Sequence, residues 1–264
     1  MAIVTNFVEL IGSKILLVNK KSKSFYEYCH EFFYHFSRGP YRVHLIFKHL
    51  EFIGNQSLFV LVLSAFAIGA VFGIEIGGIF KIFTAQNLMG IATSITLCRE
   101  IAPLLTAILL AGRAGSAMAA EIATMKVNEQ IDAMESMAVA PVSYLVIPRV
   151  IASTIITPLL TAIFILIGII GTYVVGIIMF QVDRGIFTAK MLSFTRASDL
   201  SAGFEKAIVF GFAFSLISCW YGLNASGGAK GVGQATTRAV IASLLALLAC
   251  DYVITYIQIK FIGR

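Results

Sequence analysis

Residues 150–180 contain no charged side chain. As a helix that run would be roughly 46 Å long at 1.5 Å per residue. It is too long for one straight perpendicular crossing of a hydrocarbon core about 30 Å thick, and too short for two crossings with a turn. A single tilted membrane helix, adjusted near Pro158, satisfies both limits. Hydropathy elsewhere agrees: 58% of the residues are hydrophobic, only 13% are charged, and the mean hydropathy is +0.89. A soluble domain carries far more charge. Five Pro against 22 Gly fits closely packed membrane helices better than linkers.

Four further spans follow from the same reading. They cover about residues 57–80, 88–112, 206–223 (opening just after Lys206) and 239–259, giving an all-α integral membrane fold with five crossings. Two domains are expected: an interfacial segment over 1–56 and a five-span unit over 57–264. Residues 2–18 place Val4, Phe7, Val8, Ile11 and Ile15 on one face and Thr5, Asn6, Glu9 and Ser13 on the other, the mark of a helix lying on a membrane. Residues 25–41 add aromatic side chains and histidines suited to headgroup depth.

Lys and Arg set the orientation. With the N-terminus inside, twelve fall on the inner side and seven on the outer, with Arg99 in the membrane. Lys20, Lys21 and Lys23 cluster before the first span, as expected near an anionic lipid surface rather than nucleic acid. The glycine-rich segment 227–237 reads as a flexible cytoplasmic loop. No inverted repeat stands out, against the common secondary-transporter plans.

Two constellations carry the functional signal. Arg99 and Glu100 lie in the middle of the second span, where a charge costs about 2.5–3.5 kcal/mol on insertion scales. As neighbours on a helix they diverge by about 100°, so each needs its own partner. A substrate path is one reading; a packing ion pair with Asp251 or Glu75 is the other. Between Arg113 and Arg149, the acids Glu121, Glu129, Asp132 and Glu135 alternate with Met125, Met134 and other apolar residues. A Met-rich, charge-patterned segment held between two spans has the form of a docking element for a cytoplasmic motor. Small residues recur every four positions at Gly69, Gly73 and Gly77 and at Gly112, Ser116 and Ala120. One stripe could pack within the subunit and the other between copies.

The chain has no phosphate-binding G-x-x-x-x-G-K-[ST] loop and no H-E-x-x-H pair. No histidine lies in a span to act as a base, and its four Cys are scattered without metal spacing. An enzyme is a poor reading, so energy must come from another chain or from a gradient.

The runs R-E-I-A-P at 99–103, A-G-R-A-G-S-A-M-A-A-E-I at 111–122, E-Q-I-D-A-M-E-S-M-A-V at 129–139, P-R at 148–149, G-V-G-Q-A-T-T-R-A-V at 231–240 and D-Y-V-I-T at 251–255 resemble the MlaE-type permeases. These are membrane subunits of ABC transporters that work with MCE-domain proteins, with a plant branch in chloroplast lipid import. The resemblance spans nearly everything after about residue 50. It implies a homodimeric, non-enzymatic permease moving phospholipid, with a cytoplasmic ATPase dimer that binds ATP and Mg and an MCE ring on the outer face. It implies a bacterial inner membrane with the N-terminus cytoplasmic, or a plastid inner envelope. It also implies a lipid cavity lined by the first two spans. Arg99 and Glu100 would lie at that cavity, and Phe72, Ile79, Phe80 and Phe83 would face acyl chains. Glu121, Met125, Glu129, Asp132, Met134 and Glu135, on a coupling helix over about 121–139, would meet the ATPase. Many relatives carry Asp where this chain has Ala140. The competing functions are a gradient-driven transporter using Glu75, Glu100 or Asp251, and a structural membrane anchor.

Overall fold

The fold is given by a computed structural model, which describes the backbone of residues 2–39 and 41–261 and the side chains of 19–39 and 41–260. The amphipathic faces read over residues 2–18 therefore lie outside the described side chains. The described chain is helical without strands: α1 (Ala2–Arg38), α2 (Val43–Ile82), α3 (Gln86–Val127), α4 (Gln130–Ser136), α5 (Val142–Ile178), α6 (Arg184–Phe194), α7 (Ala197–Leu223) and α8 (Gly228–Phe261). Five of these, α2, α3, α5, α7 and α8, are long and apolar enough to cross a membrane. The protein is an all-α, five-span integral membrane protein.

Several helices begin earlier than hydropathy predicts, because a membrane helix need not stop where the bilayer does. The helix carrying the first span starts at Val43 rather than near residue 57. The fourth starts at Ala197, so Lys206 is not a flanking residue but lies roughly 14 Å inside α7. The fifth starts at Gly228, so most of the supposed glycine loop is helix. One of those glycines answers a steric demand: a Cβ at Gly231 would strike the Ser226 carbonyl where the chain doubles back into α8. Among them, only Gly227 and Gly228 hold the left-handed backbone of a turn (φ +91° and +66°).

The bundle is built around the α2–α5 pair. Gly69 lies so close to Gly168 that a Cβ would land on the Gly168 carbonyl, and Thr172 Oγ1 donates to the Gly69 carbonyl at 2.8 Å. The Gly69, Gly73 and Gly77 stripe is thus a seam within the subunit, where dispersion between closely spaced backbones supplies the attraction that lipid cannot. Gly112, by contrast, is exposed, and a Cβ added there would meet no atom within 4 Å, so its stripe is not consumed in this way.

α1 closes one end of the bundle. Tyr28 and Phe32 are buried against Ile122, Ile131, Val146, Val150, Leu216 and Cys219. The Tyr28 hydroxyl donates to the Leu216 carbonyl at 3.1 Å, and burial pushes its pKa well up, keeping it a neutral donor. The N-terminal aromatic segment is therefore partly the surface by which α1 docks on the bundle, not solely an interfacial belt. At the opposite end, α6 caps α3 and α5 through Met89, Val175, Val182 and Phe187.

Candidate functional site

Pro103 shapes the site locally. Without an N–H it cannot bond the Arg99 carbonyl four residues earlier, and residues Leu97–Ile101 widen into a π-helical turn. The same arrangement recurs at Val142–Val146, just ahead of Pro148. Gly203 on α7 completes the first bulge: a Cβ there would collide with the Cys98 carbonyl. α7 therefore approaches α3 closely where Arg99 and Glu100 project.

Each of the two charges finds its own partner. Arg99 Nε donates to Asp199 Oδ1 at 2.7 Å and Nη2 lies 2.6 Å from the same oxygen. Asp199 is buried, and its other oxygen accepts from the Arg196 backbone N–H at 2.8 Å, so one carboxylate both caps α7 and holds Arg99. Glu100 forms a short ion pair with Lys206, which also reaches Asp251 Oδ1 at 3.0 Å and Thr255 Oγ1 at 2.7 Å. Lys206 is fully buried, whereas the Glu100, Arg99 and Asp251 side chains remain 39%, 34% and 20% exposed.

The cluster thus joins α3, α7 and α8. A buried ammonium is tolerated because three oxygens surround it. The carboxylates around it remain partly open to the outside of the bundle. Asp251 joins this network through Lys206 and pairs with neither Arg99 nor Glu100, contrary to the packing alternative, while Glu75 is exposed on α2 and takes no part. Asp199 and Lys206 were missed as partners. Their seven-residue spacing, which puts them on one helical face, was the available signal.

The acyl-facing set divides. Ile79 and Phe83 are exposed and Phe72 is half-buried, but Phe80 turns inward against the Met89–Phe187 cluster. The polar bonds of Arg99 and Glu100 run to Asp199 and Lys206 on α7 and, at 3.5 Å, to Thr255 on α8, not to α2.

The segment read as one helix over 121–139 is broken. α3 ends at Val127, Glu129 adopts a left-handed backbone (φ 58°), and α4 is a separate short helix closed by a left-handed Ala138 (φ 58°). Glu129, Asp132 and Glu135 are exposed, although Asp132 pairs with Lys126 at 2.5 Å. Met125 and Met134 pack toward Ile131 and the α1 cluster, and Met137 stands outward. Glu121 is engaged within the chain: its Oε2 lies 2.8 Å from Nη2 of Arg149, which is almost wholly buried at the start of α5.

Residues 46–257 match the family model described as Permease MlaE. The chain belongs to the MlaE permease family. It is 36% identical to a probable ABC transporter permease protein of Synechocystis over 88% of each chain. It is 40% identical to a probable ABC transporter permease protein of Rickettsia typhi over 84% of this chain and 86% of that one. With the intermembrane phospholipid transport system permease protein MlaE of Haemophilus influenzae it shares 38% identity over 81% of this chain and 82% of that one. The matched region of this permease includes the ionic cluster and α4 and leaves α1 outside.

Proposed function

We propose that this permease moves phospholipid between membranes as a homodimer, without catalysis of its own. A separate cytoplasmic ATPase dimer would hold ATP and Mg, and a ring of MCE-domain proteins would receive or deliver lipid on the outer face. The membrane would be a bacterial inner membrane with the N-terminus cytoplasmic, or a plastid inner envelope.

One observation carries this reading: the partly open Arg99, Glu100 and Asp251 on the flank of the membrane-spanning bundle. Charges left open to lipid tails are costly. A second copy facing the same flank would enclose them in a wet chamber, and two-fold pairing is the commonest way to cover such a surface. α8 also leaves Leu245, Tyr252 and Tyr256 exposed, apolar surface that such a copy would cover. Arg99 has guanidinium donors to offer a phosphate beyond those used on Asp199, and Glu100 can accept from a headgroup amine or hydroxyl. Ile79 and Phe83 offer apolar surface to tails. The exposed acids of α4 and Met137 supply the face that the ATPase would grip.

Glu100→Gln tests the route, since it preserves shape while removing the charge. In proteoliposomes containing the complete complex, ATP-driven transfer of a fluorescent phospholipid should fall about tenfold or more, as expected for loss of a charge-assisted hydrogen bond, with dimers still recovered. Unchanged transfer would remove Glu100 from the route. Transfer by the permease alone along a proton gradient would replace the ATP-driven reading with a gradient-driven one.

A further inference from the structure

A second polar feature lies at the α1 end of the bundle, away from the Glu100 cluster. Two adjoining clefts of about 310 and 320 Å³ open between α1, the end of α7 and the first turns of α8. They share Lys21, Trp220 and Tyr221. Lys20 and Arg238 face one cleft, while Phe25, Ile217 and Ala242 wall the other. Among the described residues no acid lines either cleft and Lys20, Lys21 and Arg238 have no ion pair, although Arg238 Nη2 lies 3.5 Å from Gln234 Oε1. The nearby Lys23 is different, lying 3.9 Å from Glu27.

Trp220 forms the floor between the basic and apolar parts. It is 9% exposed, with Phe25 edge-on at 5.4 Å and Tyr221 at 4.8 Å. Its indole Nε1 is buried, with no hydrogen-bond partner among the described residues. Lys20, Lys21 and Arg238, set beside this apolar wall, offer charged donors to an acceptor supplied from outside.

We propose that this cleft is a binding site for an anionic phospholipid, distinct from the transported one. Its phosphate would sit among Lys20, Lys21 and Arg238, and the start of its acyl chains would run along Phe25, Ile217 and Ala242. The polar-to-apolar gradient selects a membrane lipid over a soluble anion. The α1 wall, holding Lys20 and Lys21, lies outside the region that matches the family, so the site is assembled partly from this chain's own N-terminal helix. Occupancy would tie α1 to α7 and α8 and make the attachment of α1 depend on the charge of the leaflet.

Trp220 is the chain's sole tryptophan, so its fluorescence reports on the cleft directly. The full-length permease in a neutral detergent would be titrated with phosphatidylglycerol brominated near the glycerol end of its chains. The comparisons are the equally brominated phosphatidylcholine and inorganic phosphate. Saturable quenching by phosphatidylglycerol, at least about tenfold tighter than by phosphatidylcholine, is expected. So is a loss of about tenfold or more in the K20Q/K21Q/R238Q variant, with recovery in K20R/K21R/R238K. Equal quenching by the two lipids would overturn the proposal. Protection from quenching by inorganic phosphate at the lipid's own concentration would make this a soluble-anion site and overturn it too. The lipid comparison uses the unaltered protein, so it decides even if the triple variant fails to fold.

Discussion

Two buried cations organise this protein, and they are held in different ways. Lys206, inside the membrane-spanning helices, is fully buried and meets Glu100, Asp251 and Thr255 from two other helices. Arg149, at the α1 and α4 end, is nearly as buried but meets one carboxylate, Glu121, which is itself 57% exposed. Its other bond goes to the Leu145 carbonyl of its own helix at 2.7 Å, and its Nε has no partner. The first cation is locked by a convergent set. The second has a single carboxylate, at the end of α3, next to the short helix that would meet a motor. Under the proposed ATP-driven reading, the first would act as a rigid hub and the second as a releasable latch between a motor at one end and a chamber in the middle.

Lys206→Met should give the largest effect, because it strands two carboxylates among apolar helices. A loss of about 3–5 kcal/mol is expected, read by unfolding in mixed micelles. Adding Asp251→Asn and Glu100→Gln should recover much of it, since no unpaired charge would then remain. If the single and triple variants were equally unstable, Lys206 would matter for its packing and not for its charges.

Arg149→Met should cost less, about 1–3 kcal/mol, since the carboxylate left behind, Glu121, is more than half exposed and recovers water. Its sharper readout is coupling: ATP hydrolysis by the complex should continue while lipid transfer falls. Hydrolysis and transfer falling together would make the pair a structural rivet and dissolve the contrast with Lys206.

A smaller stability change is expected on reversing Glu129 and Glu135 to Lys. Both are exposed, so unfolding should shift by less than about 0.5 kcal/mol. Recovery of the ATPase with the purified permease should nevertheless drop several-fold. Undiminished recovery would leave the acids of α4 as a solvated face.

The five spans were legible because hydrocarbon imposes length and polarity on any helix that crosses it. The ends were not, since helix continues into water wherever tertiary contacts hold it, as at Val43–Leu50 and over the first turns of α8. Arg99 and Glu100 advertised themselves by their cost. Their partners did not, because Asp199 and Lys206 sit near the predicted start of a span and read as flanking charge. The break at Glu129 has no Pro or Gly to announce it. It is imposed on a non-glycine residue at a cost of about 1–2 kcal/mol by packing around Ile131. Glycine misled in the other direction: Gly231 signals close approach of backbone to backbone, not flexibility.

The central claim is that the open face of the Glu100 cluster borders the lipid route between two copies. Photo-crosslinking tests it most directly. Complexes in nanodiscs would be loaded with a phospholipid bearing a diazirine in its headgroup, irradiated, and mapped by peptide mass spectrometry. Adducts are expected on residues 97–101 and 251–255, and they should decline as ATP turnover empties the chamber. Adducts confined to the outward faces of α2 and α5, unchanged by ATP, would contradict the account.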